Sequence, residues 1–447
     1  VLERVPLDQR MAWPSIAGII AGIVSSLPSL MSGALVTFYA GFKLGMLAAA
    51  IAFVISFFFV YMIGKITYRE GLPNNVVSRA YAFGTKGSAI GSIIWAFLMI
   101  GLLGMGSVQL GNGIIFYFGL PETLAVKLAI YIPMSILWAV LALFGEDIVA
   151  KINTWSVAAL FILLGYMIVK MGMDSGLGDA FSFGIMIPGV TPVEGFSVAL
   201  NTSIMFAGLM ALFSADFTRF AEKESDLVPI ALTGNIAMYV FTYICGALLA
   251  YFGFTETVAY FMSTGMNEAA ASQAAIANPG VTLVLAGGVI GLIIIFFSQA
   301  KVQMGNTIAG SLALANLADA GFGAKLGWTA AVSLANLIGI LFIFGGILDW
   351  VANFLTIGGI LTASWATLMI VDYYLVRGKW GKGPQGIRSL EDIPSVNWRG
   401  VLALIIATGI STWLFMVGSL SIPFLAAVPL TAILYPLFSI GWRAQEI

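Results

Sequence analysis

Apolar runs of 18 or more residues recur along the whole chain, separated by short polar or glycine- and proline-containing stretches. Each run is long enough for a helix to cross about 30 Å of hydrocarbon. The residue-by-residue alternation of a transmembrane β-barrel is absent, and the runs exceed the length of barrel strands. The pattern predicts an all-α polytopic membrane protein with twelve transmembrane helices, at 14–38, 43–66, 88–117, 124–144, 153–172, 196–217, 228–253, 280–309, 326–345, 348–374, 399–417 and 421–442. Two longer connections stand out. One is the polar stretch 376–398; the other, 255–280, is expected to carry a short helix of its own. With no low-complexity tail, residues 1–447 read as a single integral membrane domain.

Composition agrees with the pattern: 60% of residues are hydrophobic, 9% are charged and the mean hydropathy is +1.00, far from a soluble domain. The net charge of −1 says little about partners, and nothing points to nucleic acid. There is no histidine, and the one cysteine, Cys245, lies inside an apolar run. No metal site, cofactor or histidine-based catalytic centre is expected, so an enzyme is disfavoured. No soluble signalling domain is visible to suggest a receptor. The chain begins at Val1, which reads as a trimmed start, and shows no cleavable signal.

Lysine and arginine placement sets the orientation. With the N-terminus in the cytoplasm, sixteen of the twenty basic residues, Arg388 and Arg443 among them, fall in cytoplasmic segments. Lys43, Lys127 and Lys170 lie near the outer face, and Lys301 alone lies within the membrane. Both termini are therefore expected in the cytoplasm, with the chain in the cytoplasmic (inner) membrane.

Two spans carry residues that interrupt a helix. In span 1, Ser25, Ser26, Pro28, Ser32 and Gly33 fall near mid-membrane; in span 6, Gly208 sits at a similar depth. Proline lacks an N–H and clashes with the preceding turn, so carbonyls upstream of Pro28 lose their partners. Interruptions at corresponding places five spans apart are the pattern of an inverted-repeat transporter. The repeats are then 14–172 and 196–374, followed by two C-terminal helices over 399–442. Ordinary transmembrane glycine and proline is the other reading.

Five stretches in order along the chain carry a resemblance: "LERVPLDQR" before span 1, "VSRAYAFGTKGS" entering span 3, "SADFTRFA" closing span 6, "IVDYYLVRGKW" after span 10 and "VNWRG" opening span 11. Together they resemble the purine–cytosine permeases of the nucleobase:cation symporter family. The resemblance implies the leucine-transporter fold, with twelve spans and two five-helix inverted repeats. It implies symport of nucleobases or related small heterocycles, driven by sodium in some members and protons in others. An amino-acid carrier of the same fold is the rival, because fold does not fix substrate. Oligomeric state is not legible.

In that family, bases stack between aromatic side chains of spans 3 and 6 while amides or hydroxyls read the polar edge. The matching positions in span 3 are Leu102 and Met99, both apolar here. Span 6 offers Phe206 as the stacking plate, beside Ala207, Gly208 and Leu209. Gln109 or Trp95 could substitute if the register shifts. In span 8, Gln299, Gln303 and Asn306 lie at i, i+4 and i+7, one helical stripe that should face the protein interior. Gln303, Asn306 and Thr307 are candidate substrate readers; interhelical hydrogen bonding is the alternative. Asp216 and Arg219, three apart at the end of span 6, can act as an inner gate or as a fixed cap. Asp372 and Arg377 look like an end-of-span anchor, Arg79 and Lys86 like topology signals. Glu146 and Asp147 end span 4 and need no special role, while Asp349 near span 10 is solvated or functional.

Lys301 is the anomaly, since an ammonium at the bilayer centre costs roughly 2.5–3.5 kcal/mol even on insertion scales. In sodium-coupled relatives span 8 supplies oxygens to a sodium ion that also touches carbonyls freed at the break in span 1. The resemblance places those positions on Ser298, Lys301 and Val302. An ammonium opposes a bound cation, and valine has no oxygen. The Lys301 head is therefore expected to take the sodium position, bonding to oxygens between Gly22 and Ser26, with Ser25 and Ser26 at the break. Burial and carbonyl contact act on a lysine's proton in opposite senses, so such a group can gain and lose it during transport. A proton-coupled, sodium-independent symporter follows, or a uniporter with a fixed charge. A lysine snorkelling to the interface is the plain alternative.

Overall fold

The computed structural model describes residues 4–144, 146–387, 389, 391 and 393–441, with side chains for all of these except 7, 23, 146–157, 171, 174, 175 and 177. Arg388 and Arg443, counted above as cytoplasmic, and the side chains of Glu146 and Asp147 lie outside that description. Among the described residues the chain is helical throughout, with a single isolated bridge, Met11 to Ala221, in place of any strand.

The first apolar run is broken, as its serines and proline predict. It forms α1 (Trp13–Ile23) and α2 (Leu27–Ala40), bent by 72° across the junction. Ser26 caps α2, its Oγ accepting from Ser29 N at 3.2 Å, and Pro28 falls in the first turn, where a missing N–H leaves nothing unsatisfied. There follow α3 (Phe42–Glu70), closed by left-handed Gly71, α4 (Asn74–Ser78), a π-helical turn at Arg79–Phe83, α5 (Ser88–Phe118), α6 (Leu124–Phe144), α7 (Glu146–Ser175) and α8 (Leu177–Ala180).

The second half opens on α9 (Pro192–Thr218), started by a Thr191–Glu194 capping box with Pro192 in the first turn. Next come α10 (Leu227–Met238), a π stretch at Tyr239–Cys245, and α11 (Gly246–Ser263). The expected short helix is α12 (Glu268–Ala277), capped by Asn267. α13 (Pro279–Phe322) is followed by α14 (Trp328–Phe344), α15 (Val351–Ile370) with a π extension to Lys379, α16 (Trp398–Met416) and α17 (Phe424–Phe438).

Eight helices among the described residues are long and apolar enough to cross a membrane, nine if α1 and α2 form one bent span. Three apolar helices are shorter: Ala158–Lys170, Trp328–Phe344 and Phe424–Phe438. Centre and rim are distinguished by burial. The apolar windows of α9 and α5 are 78% and 72% buried, that of α6 only 22%.

One expectation is overturned. α9 runs unbroken through Gly208, so the interruption predicted in span 6 is not there. A glycine without a following proline leaves the backbone ladder intact, and its missing side chain serves close packing instead: a Cβ at Gly208 would lie 2.2 Å from Thr362 Oγ1 of α15. A second break appears where none was expected. Within α13, Gly288 adopts φ 55°, ψ −139°, interrupting the helix thirteen residues before Lys301.

One end of the molecule is stitched by basic side chains. Arg10 donates to Ala221 O at 3.1 Å, and Arg377 donates to Asp372 at 3.1 Å and to Ala80 O at 2.7 Å. Tyr435 completes the Asp372 carboxylate at 2.8 Å, and Tyr81 bonds Glu70. Arg79 is also engaged, giving Asn316 a 2.5 Å bond that ties the α4–α5 connection to α13. Burial draws the Arg79 pKa below its ordinary value, and nearby Asp319 pulls the other way. Arg79 is thus a structural tie as well as a basic residue of this end.

Candidate functional site

A small cavity of about 60 Å³ lies beside the α1–α2 break. α5 contributes Met99 and Leu102; α9 contributes Phe206, Leu209, Met210 and Phe213; Met238 ends α10. From the break come Val24, Ser26, Pro28 and Ser29, and from α13 come Val302 and Asn306. Four of the predicted substrate residues, Met99, Leu102, Phe206 and Asn306, thus meet on one wall system, together with Ser26. Gly208, Gln303 and Thr307 do not line it. Phe213 stands seven residues after Phe206 on the same helical face, a spacing that could have identified it from sequence. Ser29 and Met238 carried no such signal, because only tertiary packing brings them in.

The wall is almost wholly apolar. Its hydrogen-bonding groups are the Ser26 and Ser29 hydroxyls, 2.8 Å apart, and the Asn306 amide, whose Nδ2 donates to Gln303 Oε1 at 3.1 Å. About 60 Å³ holds a handful of waters, well below the roughly 300–1,000 Å³ of an ordinary ligand pocket. A planar heterocycle fits only if these walls separate.

The polar stripe of α13 faces inward as predicted: Gln299, Gln303, Asn306 and Thr307 are all buried. Gln303 is spent on helix contacts, its Nε2 donating to Leu103 O at 2.9 Å and Ser107 Oγ at 3.2 Å on α5. Gly106 makes that approach possible, because a Cβ there would lie 2.6 Å from Gln303 Nε2. Gln109 is likewise occupied, bonding Ala277 O at 2.9 Å. Trp95 packs edge-on against Trp365, outside the cavity wall.

Lys301 reaches the end of α1. Its Nζ donates to Gly22 O at 2.7 Å and to Ser25 Oγ at 2.8 Å. Ser25 Oγ donates in turn to Gly22 O at 2.5 Å, and Ser298 Oγ donates to Ser25 O at 3.2 Å. Unsatisfied carbonyls and the negative end of the helix dipole favour a cation at a helix C-terminus. The ammonium has one such end, one hydroxyl and, among the described residues, no carboxylate within ion-pair distance. This is an inward contact between two helices; the side chain does not snorkel toward an interface. Ser25 is part of the knot, whereas Ser26 faces the cavity and caps α2.

Asp216 and Arg219 do not pair with each other. The Asp216 carboxylate accepts from Asn74 N at 2.8 Å, capping α4. Arg219 Nε donates to the Asp216 backbone carbonyl at 3.0 Å, and its guanidinium lies 4.6 Å from the Phe220 ring centre.

The arrangement of helices is that of known transporters. The chain is similar to the inward-facing conformation of Mhp1, at 16% identity over 98% of this chain and 93% of that one, with a TM-score of 0.73. It is also similar to Mhp1, a nucleobase-cation-symport-1 family transporter, in a closed conformation with bromovinylhydantoin bound (18% identity, 98% and 95% coverage, TM-score 0.66). A substrate-bound, outward-open sodium-coupled sialic acid symporter matches at 13% identity, 99% and 92% coverage and a TM-score of 0.60. At these identities the likeness establishes the fold. None of the curated proteins compared matches the chain. The sequence pattern of the permeases for cytosine/purines, uracil, thiamine and allantoin matches residues 9–437. The chain belongs to that family, and is a multi-pass membrane transporter of the nucleobase-cation-symport type, not an enzyme.

Proposed function

We propose that this transporter imports a nucleobase or related small N-heterocycle across the cytoplasmic membrane by alternating access, without sodium, and that Lys301 couples uptake to protons. The observation that carries this reading is the Lys301 knot, with Nζ 2.7 Å from Gly22 O and 2.8 Å from Ser25 Oγ. A protonated ammonium brings three donors and a full charge to the end of α1, holding α13 against the break. Loss of the proton removes the charge and loosens that hold, freeing the halves of the first span to move relative to α13. A bound sodium ion at the same oxygens is opposed by the ammonium already there.

The topology proposed is twelve spans with both termini cytoplasmic, two five-helix inverted repeats over 14–172 and 196–374, and a C-terminal pair over 399–442. The basic end described above is then the cytoplasmic end, in line with the positive-inside rule. Phe206 is the stacking plate and Asn306 the polar reader, with Met99 and Leu102 opposite. Asp216 and Arg219 are read as a fixed cap of that end. Gln303 positions α13 against α5 and acts on substrate only through Asn306, while the buried Thr307 hydroxyl makes no hydrogen bond among the described residues.

A second reading has an observation of its own. With no carboxylate among the described residues beside it to take the proton, Lys301 can remain charged throughout, making the protein a uniporter with a tethered cation. Uptake of cytosine, purines, uracil and hydantoins into proteoliposomes under imposed sodium or pH gradients separates the cases. Stimulation by an inward proton gradient, lost in Lys301→Gln, supports coupling. Uptake indifferent to both gradients supports the uniporter, and a sodium requirement defeats both.

A further inference from the structure

A larger cavity lies elsewhere, at the opposite end from the basic network, with a volume of about 500 Å³. It is reached by following α5 from Leu102 to Asn112 and α2 from Ser29 to Tyr39. Each path is ten residues, about 15 Å of helix, so the two cavities are stacked along the same helices. Between them Gln109 crosses from α5 to Ala277 O and to Met31 Sδ (3.2 Å). Its Oε1 is fully buried and has no hydrogen-bond partner among the described residues. Ala277 belongs to the wall of the large cavity, so Gln109 forms a floor under it.

This cavity carries what the central one lacks. A chain of hydrogen bonds runs along one side, from the Tyr131 hydroxyl to Asn112 Oδ1 at 2.9 Å and from Asn112 Nδ2 to Asn278 Oδ1 at 2.7 Å. Lys127 pairs with Glu122 at 3.2 Å, and the exposed carboxylate of Asp349 enters without an ion-pair partner among the described residues. The local balance is one negative charge, with aromatic rings beside acceptor oxygens. The volume falls within the roughly 300–1,000 Å³ of small-molecule pockets.

We propose that this cavity is a second binding site for the transported molecule, one that takes a neutral or protonated heterocycle through its ring N–H groups before the molecule passes the Gln109 floor. The Asn112 and Asn278 amides read the ring edge, while Asp349 and Glu122 accept from its N–H donors. The inference rests on the reading that the cargo is a small N-heterocycle. It assigns the first polar recognition to the outer cavity, and leaves shape and stacking to the apolar site around Phe206.

The test is binding stoichiometry on the purified full chain in nanodiscs, with tritiated cytosine, uracil and allantoin as probes. Two molecules per chain are expected for at least one probe. Phe206→Trp, which fills the central cavity, leaves one; Asn112→Leu also leaves one. Asp349→Asn, at an exposed position that does not threaten folding, keeps two but weakens one of them several-fold. A single molecule per chain, lost in Phe206→Trp and indifferent to Asn112→Leu and Asp349→Asn, overturns the outer site and leaves the cargo assignment standing. No binding of any probe overturns the cargo assignment, and this site with it.

Discussion

Replacing Lys301 with methionine keeps an unbranched side chain of similar length while removing the charge and all three donors. Two hydrogen bonds from an ionised donor, to Gly22 O and Ser25 Oγ, contribute about 1.5–3 kcal/mol each. The C-terminal end of α1 adds roughly 0.3–1 kcal/mol. Against this stands the cost of about 2.5–3.5 kcal/mol for a cation at membrane depth. The balance lies between roughly zero and 4.5 kcal/mol in favour of the lysine. Gly22 O is not orphaned by the change, because Ser25 Oγ still donates to it at 2.5 Å, which places the loss toward the low end. Lys301→Met should therefore fold and insert, with its thermal midpoint in nanodiscs lowered by a few degrees at most. Its uptake into proteoliposomes, in contrast, should lose all response to an imposed pH gradient. Two results would refute the reasoning. One is outright loss of folded protein, which would make the lysine a structural keystone. The other is Lys301→Met uptake that follows the proton gradient as the wild type does.

The same oxygens predict a gain of function: Lys301→Ser combined with Val302→Thr restores hydroxyls beside Ser298 and the Gly22 and Ser25 carbonyls. That variant should be stabilised by sodium in thermal unfolding, by about 2.7 kcal/mol at a hundredfold excess over its dissociation constant; identical midpoints in sodium and potassium would count against it. Phe206→Leu keeps an apolar group but removes the ring face, worth about 0.5–1.5 kcal/mol in aromatic contacts. KM for uptake should rise about two- to tenfold with expression unchanged. Gly208→Ala pushes a methyl group into Thr362, 2.2 Å away at Oγ1, and should cost about 1–3 kcal/mol by overpacking, read as a lowered unfolding temperature. Asp372→Ala removes a fully buried carboxylate from its ion pair with the largely buried Arg377, a change that typically costs about 3–5 kcal/mol, and should sharply reduce the yield of folded transporter.

How much of the site was legible depended on the range of the interaction concerned. The bend between α1 and α2 could be read locally, because serines and a proline decide where backbone carbonyls go without partners. The inward face of Gln299, Gln303 and Asn306 could be read too, since helical period and the cost of polar groups in lipid act within one helix. Gly208 misled for the same reason. A glycine states only that no side chain is present; whether the space serves a helix break or a neighbour depends on Thr362, 154 positions away. Gln303 and Asn306 share a stripe, yet one is consumed by Leu103 and Ser107 while the other reaches the cavity.

By itself, then, the sequence determined the membrane class, the helical content, the break beside Ser25 and the oddity of an ammonium in α13. Each follows from hydropathy, proline geometry or desolvation, properties a residue carries wherever it sits. Tertiary structure alone decided that this ammonium meets the carbonyl end of α1, and that the central cavity is small and apolar. It also decided that Asn112, Asn278, Glu122 and Asp349 gather about 15 Å farther along α5. Those are facts about which helix ends and faces meet across hundreds of residues, and only packing sets them.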